Sequence, residues 1–430
     1  MAEKKIDVVL EDYGTKPVPA EKTRNWFEMG IVIWGVAVCI PAFMIGGLIG
    51  GASPLGAAIV IIMIGALILT VLSLATGNVG ARTRLSIGMS AKFTFGQYGN
   101  ILMAILLFIG AFGWFGVQLE VFGQAIGAAI ALPRWLIIIV GGALMTLTAM
   151  YGFRAIERLT LFVIPILLVL LVVTLVKAYA GITLAEVFAK APAQAMPFGI
   201  LVSIVAGGYA VGAVIQPDIT RYSKGHGHAS VAMVFGMFIG FPLVLIMAAF
   251  LVAASGESQF ATVMLAYNIG AWRVFAIVVI VFATWTTNDN NLYSAALSSN
   301  AIFPKMKKWQ LTVIGGALGT LLALFGILGQ LTNWIMILGV TVPPIGAVMA
   351  IDFLLFKSDV YTYDKIESLP AMRIVAYLSW AAGTLVGFLT FFKVFTFTTA
   401  PALDSIIVAA VVHFVLMLIA GNKVAVPKKA

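Results

Sequence analysis

Two groups of residues carry chemistry out of keeping with the apolar sequence around them. The first is Trp285-Thr286-Thr287-Asn288-Asp289-Asn290-Asn291, six polar side chains after a single tryptophan, close behind the apolar run Val274 to Ala283. An Asp at the centre of a bilayer-spanning helix costs roughly 2.5–3.5 kcal/mol on insertion scales, so such a run persists only where the groups face a cavity, an ion or each other. Hydroxyls and freed backbone carbonyls are the oxygen ligands that a hard cation takes. The second group is Gly110-Ala111-Phe112-Gly113-Trp114-Phe115-Gly116-Val117-Gln118-Leu119-Glu120. Trp114 and Gln118 stand four apart and share one helix face. Glycines on either side of Trp114 leave room for a flat ligand, and a stacking indole beside an amide suits a small planar heterocycle with edge donors and acceptors. Each group has a plainer reading: Trp114 packs against core or lipid, and the adjacent threonines bond back to their own helix.

The elements that must position these groups are membrane helices. Of 430 residues, 62% are hydrophobic and 10% charged, and the mean hydropathy is +1.08. Apolar runs long enough to cross a core of roughly 30 Å recur throughout. They predict twelve spans, at about 27–51, 55–77, 98–128, 133–151, 158–180, 196–217, 229–254, 270–297, 310–328, 331–355, 371–392 and 402–421. Most of the 26 lysines and arginines fall in segments on the N-terminal side of the bilayer, which predicts a multi-pass protein of the cell membrane with both termini cytoplasmic. The net charge of +9 is therefore a topology signal and not a nucleic-acid footprint. The first twenty-five residues are charged and Pro-containing, with no apolar signal core. Four parts follow: a cytoplasmic tail (1–25), a ten-helix transport core (26–356), two further helices (357–425) and a short cytoplasmic tail (426–430). The single cysteine, Cys39, excludes an internal disulfide. The chain carries no phosphate loop, zinc motif or Cys cluster, and no enzyme activity is expected.

Two spans carry helix-weakening residues midway: Trp34-Gly35 to Pro41 in the first, and Ala206-Gly207-Gly208-Tyr209-Ala210-Val211-Gly212 before Pro217 in the sixth. Glycine and proline at matching places in two halves point to broken helices around a central site, or alternatively to close helix packing.

Taken together, Gly113-Trp114-Phe115-Gly116-Val117, Trp285-Thr286-Thr287-Asn288-Asp289-Asn290, Lys92-Phe93-Thr94-Phe95-Gly96, Asp218 with Arg221, and Pro343-Pro344 with Gly346 resemble the nucleobase:cation symporter-1 family, and within it the cytosine permease branch. The resemblance implies an all-α membrane protein of twelve helices. These form a five-plus-five inverted repeat with helices 1 and 6 broken, plus two extra helices, and the implied activity is sodium-coupled import by alternating access. It places substrate between Trp114 and Tyr209, with Gln118, Gly208 and Ala283 around it. It places sodium on the Thr286 and Thr287 hydroxyls and on carbonyls near Gly35 and Ala283. Pro343 falls in a helix that acts there as a thin gate. Several positions depart from the cytosine branch: Ala111 and Ala283 replace amide side chains, and Gly208 and Val211 replace serines, so polar contacts to cytosine itself are missing.

Asp289, Glu120 and Asn290 complete the candidates, for gating or coupling. Glu120 lies about 120° around the helix from Trp114, where it would carry a proton or pair with a neighbour. The alternatives are proton-coupled symport of a purine, hydantoin or allantoin-type substrate, and, from a different class, a channel or a transporter-like sensor. The expected partners are the heterocycle, sodium and the lipid bilayer, with no organic cofactor.

Overall fold

The computed structural model describes residues 13, 16–151, 153–192, 194–257, 260–299, 303, 305–357 and 360–420. The expected tail at 426–430 and most of the N-terminal tail lie outside the described residues, as do the side chains of Arg154, Arg158, Ser294 and Ser298.

Helices dominate the described residues. Seven are long and apolar enough to cross a membrane, or eight with a bent pair counted as one span. That pair is α1 (Trp26–Ala37) and α2 (Ile40–Ala52), which meet at 63°. The bend falls at Val38 and Cys39, just beyond Gly35. Val38 donates to the Trp34 carbonyl and Cys39 to that of Ala37, so Gly35 loses its usual helical partner four residues on. Pro41, at the start of α2, has no amide to continue the ladder.

The chain continues through α3 (Leu55–Thr83), α4 (Ile87–Phe95), α5 (Gly99–Gly127), α6 (Arg134–Tyr151), α7 (Phe153–Ala178) and α8 (Leu184–Ala189). The sixth span is segmented into α9 (Phe198–Gly208), α10 (Ala210–Val214) and α11 (Pro217–Thr220). Tyr209 sits at the first break with non-helical angles, φ −125° and ψ 19°. Then come α12 (His226–Met233), α13 (Phe241–Ser255), α14 (Phe260–Ala266), α15 (Ala271–Ser299) and α16 (Lys308–Leu324). Helices α17 (Leu331–Thr341) and α18 (Pro343–Ile351) form one apolar stretch interrupted at Val342, where Pro343 and Pro344 remove two amides. The carbonyl of Thr341 is held by Trp380 Nε1 at 2.9 Å instead. Helices α19 (Ile374–Phe391) and α20 (Pro401–Ala420) close the chain.

Helix α5 packs along α15 and α16, and α2 along α13. The second contact depends on Gly46 and Gly50, where an added Cβ would lie 2.7 Å from the Leu245 Cα and 2.6 Å from the Ala249 Cα. Small residues one turn apart let two backbones approach, which is how membrane helices gain packing when water supplies no hydrophobic drive.

Candidate functional site

Helix α5 supplies the first wall. Gly113 admits the indole of Trp334 from α17, since a Cβ there would stand 2.6 Å from the ring Cη2. Gly110 faces Val211, two residues past the break at Tyr209, with 3.3 Å between an added Cβ and Val211 Cγ2. The fold thus brings the Trp114 helix against the interruption of the sixth span. Trp114 is half-buried against the same apolar cluster that contains Tyr209. Tyr209 is itself buried, its ring 5.5 Å from Phe241.

Gln118 is 0% exposed, and neither its Oε1 nor its Nε2 has a hydrogen-bond partner. Buried side-chain amides are nearly always paired, because an unmet donor or acceptor costs about 1–3 kcal/mol. An amide left bare on the Trp114 face is poised for polar groups that arrive with a ligand. Gly208 contributes no such contact: its Cα hydrogen points at Ile45 Cδ1, and a side chain there would collide with that residue.

Helix α15 supplies the second wall. Thr287 Oγ1 donates to the Ala283 carbonyl at 2.8 Å, and Thr286 Oγ1 to the carbonyls of Phe282 at 2.9 Å and Ala283 at 3.3 Å. Both hydroxyls therefore take the back-bonded arrangement usual in membrane helices. Each keeps oxygen lone pairs, so the bond orients the oxygens without consuming their capacity to accept. Helix α2, the segment that follows the first-span break, touches α15.

The remaining polar residues of the run divide by face. Asn288 is wholly buried and donates to the Phe115 carbonyl at 3.1 Å, which ties α15 to α5. Trp285 turns to α6, where its Nε1 donates to Thr148 Oγ1 at 2.9 Å, and Thr148 in turn bonds Asp289 Oδ1 at 2.8 Å. The other carboxyl oxygen of Asp289 is buried and unpartnered. Asn290 is exposed and Asn291 half-buried. Glu120 faces away from Trp114, pairing with Arg134 and accepting the Leu328 amide at 2.5 Å. It lines a cavity of about 840 Å³ with Gln124, Arg134, Lys190 and Thr332, and Trp114, Gln118, Tyr209, Thr286 and Thr287 are not in its wall. Pro343 is buried at the α17–α18 interruption.

Sequence reasoning passed over one polar centre. Arg373 grips Asp352 with two nitrogens, at 2.7 and 2.8 Å, and donates to the Phe93 carbonyl at 2.5 Å. Tyr361 donates to Asp352 at 2.9 Å, and His413 Nε2 lies 3.4 Å from it. Asp352 and Arg373 lie at helix ends, where charges are ordinary, whereas His413 inside an apolar span was a usable signal.

The helical architecture and interrupted spans define a membrane transporter fold. The structure aligns with the inward-facing conformation of Mhp1 at a TM-score of 0.81 and 21% identity, covering 95% of this chain and 93% of that one. Residues 17–410 match the family described as permeases for cytosine/purines, uracil, thiamine and allantoin, and the chain belongs to that family. The cytosine permease of Escherichia coli O157:H7 is 29% identical over 377 residues, spanning 87% of this chain and 88% of that protein. The hydantoin permease of Microbacterium maritypicum is 25% identical over 410 residues, spanning 86% and 82%. These relatives are permeases and not enzymes, and the chain is a multi-pass membrane protein.

Proposed function

We propose that this chain is a sodium-coupled symporter that imports a planar, nucleobase-like heterocycle such as cytosine by alternating access. The observation that carries the heterocycle is Gln118, a buried amide with both ends unpaired one turn from Trp114 on α5. Trp114 and Tyr209 would stack on the ring from two sides, and Gln118 would read its edge. Gly208 and Ala283 border the site without polar side chains, so the hydrogen-bond pattern differs from a cytosine-specific one. A site built to pair one ring edge rejects another strongly.

The donor set offered to the ion is entirely oxygen: the Thr286 and Thr287 hydroxyls, the Ala283 carbonyl, and backbone carbonyls released at the bend beyond Gly35. These residues fit a hard monovalent cation. Binding of the cation to one state of the carrier more tightly than to the other supplies the coupling. The proposed architecture is twelve helices in the cell membrane with both termini cytoplasmic. An inverted five-plus-five repeat spans 26–356, and an accessory pair of helices spans 357–425.

One observation sustains a second reading, proton coupling: Asp289 is 2% exposed with Oδ2 unpartnered. Uptake of radiolabelled cytosine, uracil, purines, hydantoins and allantoin into proteoliposomes decides among these. Saturable uptake of one heterocycle, stimulated by an inward sodium gradient, is expected. Uptake driven by a pH gradient without sodium would favour the second reading, and conduction without saturation would indicate a channel.

A further inference from the structure

His413 is a titratable side chain that neither the heterocycle site nor the cation site uses, wholly buried within α20. An ionisable residue inside an apolar span is costly, and it persists where it pairs with another group or carries a proton. Its two ring nitrogens meet two different elements. Nε2 lies 3.4 Å from Asp352 Oδ1, in the wide π-helical turn Asp352–Lys357 that follows α18. Nδ1 lies 3.3 Å from the hydroxyl of Ser379 in α19. Among the described residues, Asp352 is bonded in turn by Arg373 and Tyr361. Helices α9, α17 and α18 also pack on α20 and carry no titratable side chain. Helix α19 carries Tyr377 alone, whose ring lies against Phe95.

Ser379 gives this histidine two complete arrangements. Its hydroxyl also reaches the Val375 carbonyl at 2.7 Å, so its single proton can point either way. With one ring proton, at Nε2, the imidazole donates to Asp352 and accepts at Nδ1 from Ser379. With two, Nε2 still donates to Asp352, Nδ1 donates to the Ser379 oxygen, and the hydroxyl proton turns to Val375. Neither arrangement leaves a ring nitrogen unmet, and a rotating hydroxyl is all that moves. His228 shows the contrast: its Nδ1 accepts the Trp26 amide at 3.2 Å, a donor that cannot turn round. A second proton there breaks a bond, whereas at His413 it makes one.

We propose that the Asp352–His413–Ser379 centre is a proton-binding site, with His413 taking the second proton. The bound proton ties α20 to the turn after α18 through a charge-assisted bond, roughly twice as strong as a neutral one. As pH rises the proton leaves, the bond to Asp352 becomes an ordinary one, and the joint between α20 and the transport core slackens. Neither the heterocycle nor the transported cation takes part, so the site stands or falls apart from the function proposed above.

The chain has three histidines, His226, His228 and His413, so the site can be read directly. Nitrogen-15 NMR of histidine-labelled protein in detergent micelles, from about pH 5 to about pH 9, reports the protonation of each ring. The His413→Gln variant assigns the buried signal. His413 is expected to pass from the doubly protonated to the neutral ring within that range. Asp352→Asn should lower its proton affinity by roughly tenfold or more, and Ser379→Ala by less. If Asp352→Asn does not fold, Ser379→Ala carries the comparison. The His228 signal should be unmoved by either. A His413 ring that stays neutral throughout, or that titrates identically in both variants, overturns the proposal. The melting temperature separates the site from mere packing. The parent should exceed His413→Gln most at the acid end, with the gap closing as pH rises; a gap independent of pH also overturns it.

Discussion

Two buried polar regions of this molecule are built on opposite terms. Around Asp352, both carboxylate oxygens are matched by Arg373, with Tyr361 and His413 alongside, although Arg373 Nε is itself buried without a partner. On α5, Gln118 is as deeply buried, yet both of its polar atoms are bare. The first arrangement spends its hydrogen bonds on holding α4 and α20 to the segment just after α18 and the residue that precedes α19. The second withholds them. In a medium where unmet polar groups cost several kcal/mol, that difference separates a structural joint from the face where we propose a ligand binds.

The contrast can be broken most severely at the joint. Arg373→Ala leaves Asp352 buried without its countercharge and is expected to lower stability by about 3–5 kcal/mol. Thermal unfolding in detergent, followed by loss of the monodisperse peak, measures it. A variant as stable as the parent would show the cluster to be incidental. At the bare site the expectation reverses, with affinity moving and stability holding. Trp114→Ala should weaken heterocycle binding by about 1–3 kcal/mol, the range for ring stacking removed by alanine. Direct binding to the purified protein reads this, and intact affinity would sink the stacking model. Gln118→Leu removes an unpaired amide, so the melting temperature should hold or rise while affinity falls roughly tenfold. A drop in stability there would mean the amide has a partner in the folded protein. Thr287→Ala should also change folding little: its hydroxyl bonds back to its own helix, and its loss should cost less than about 1 kcal/mol. Sodium stimulation of uptake should nonetheless disappear, and its persistence would refute the cation assignment.

Polarity in an apolar span was visible in the residues themselves, and so was the choice of Trp114, Gln118, Thr286 and Thr287 as candidates. The roles inside the run Thr286–Asn291 were not. Asn288 joins α15 to α5, Asp289 turns to Thr148, and Asn290 is exposed, because consecutive residues on a helix point about 100° apart and each meets a different neighbour. The bend of the first span was also legible, since its Gly and Pro content marked the stretch Trp34 to Pro41. It falls at Val38–Cys39, where the amides turn back to Trp34 and Ala37.

Composition and hydropathy settled that this chain is a helical membrane protein, because those properties depend on side-chain chemistry summed along the chain, and its short motifs marked the resemblance to a permease family. Whether a buried polar group is a joint or a bare binding surface depends on what the fold sets opposite it. Glu120 meets Arg134 and Leu328 from 14 and 208 residues away, Asp352 meets Arg373, and Gln118 meets nothing. Only tertiary packing decides such pairings, since partners distant in sequence leave no local pattern to read.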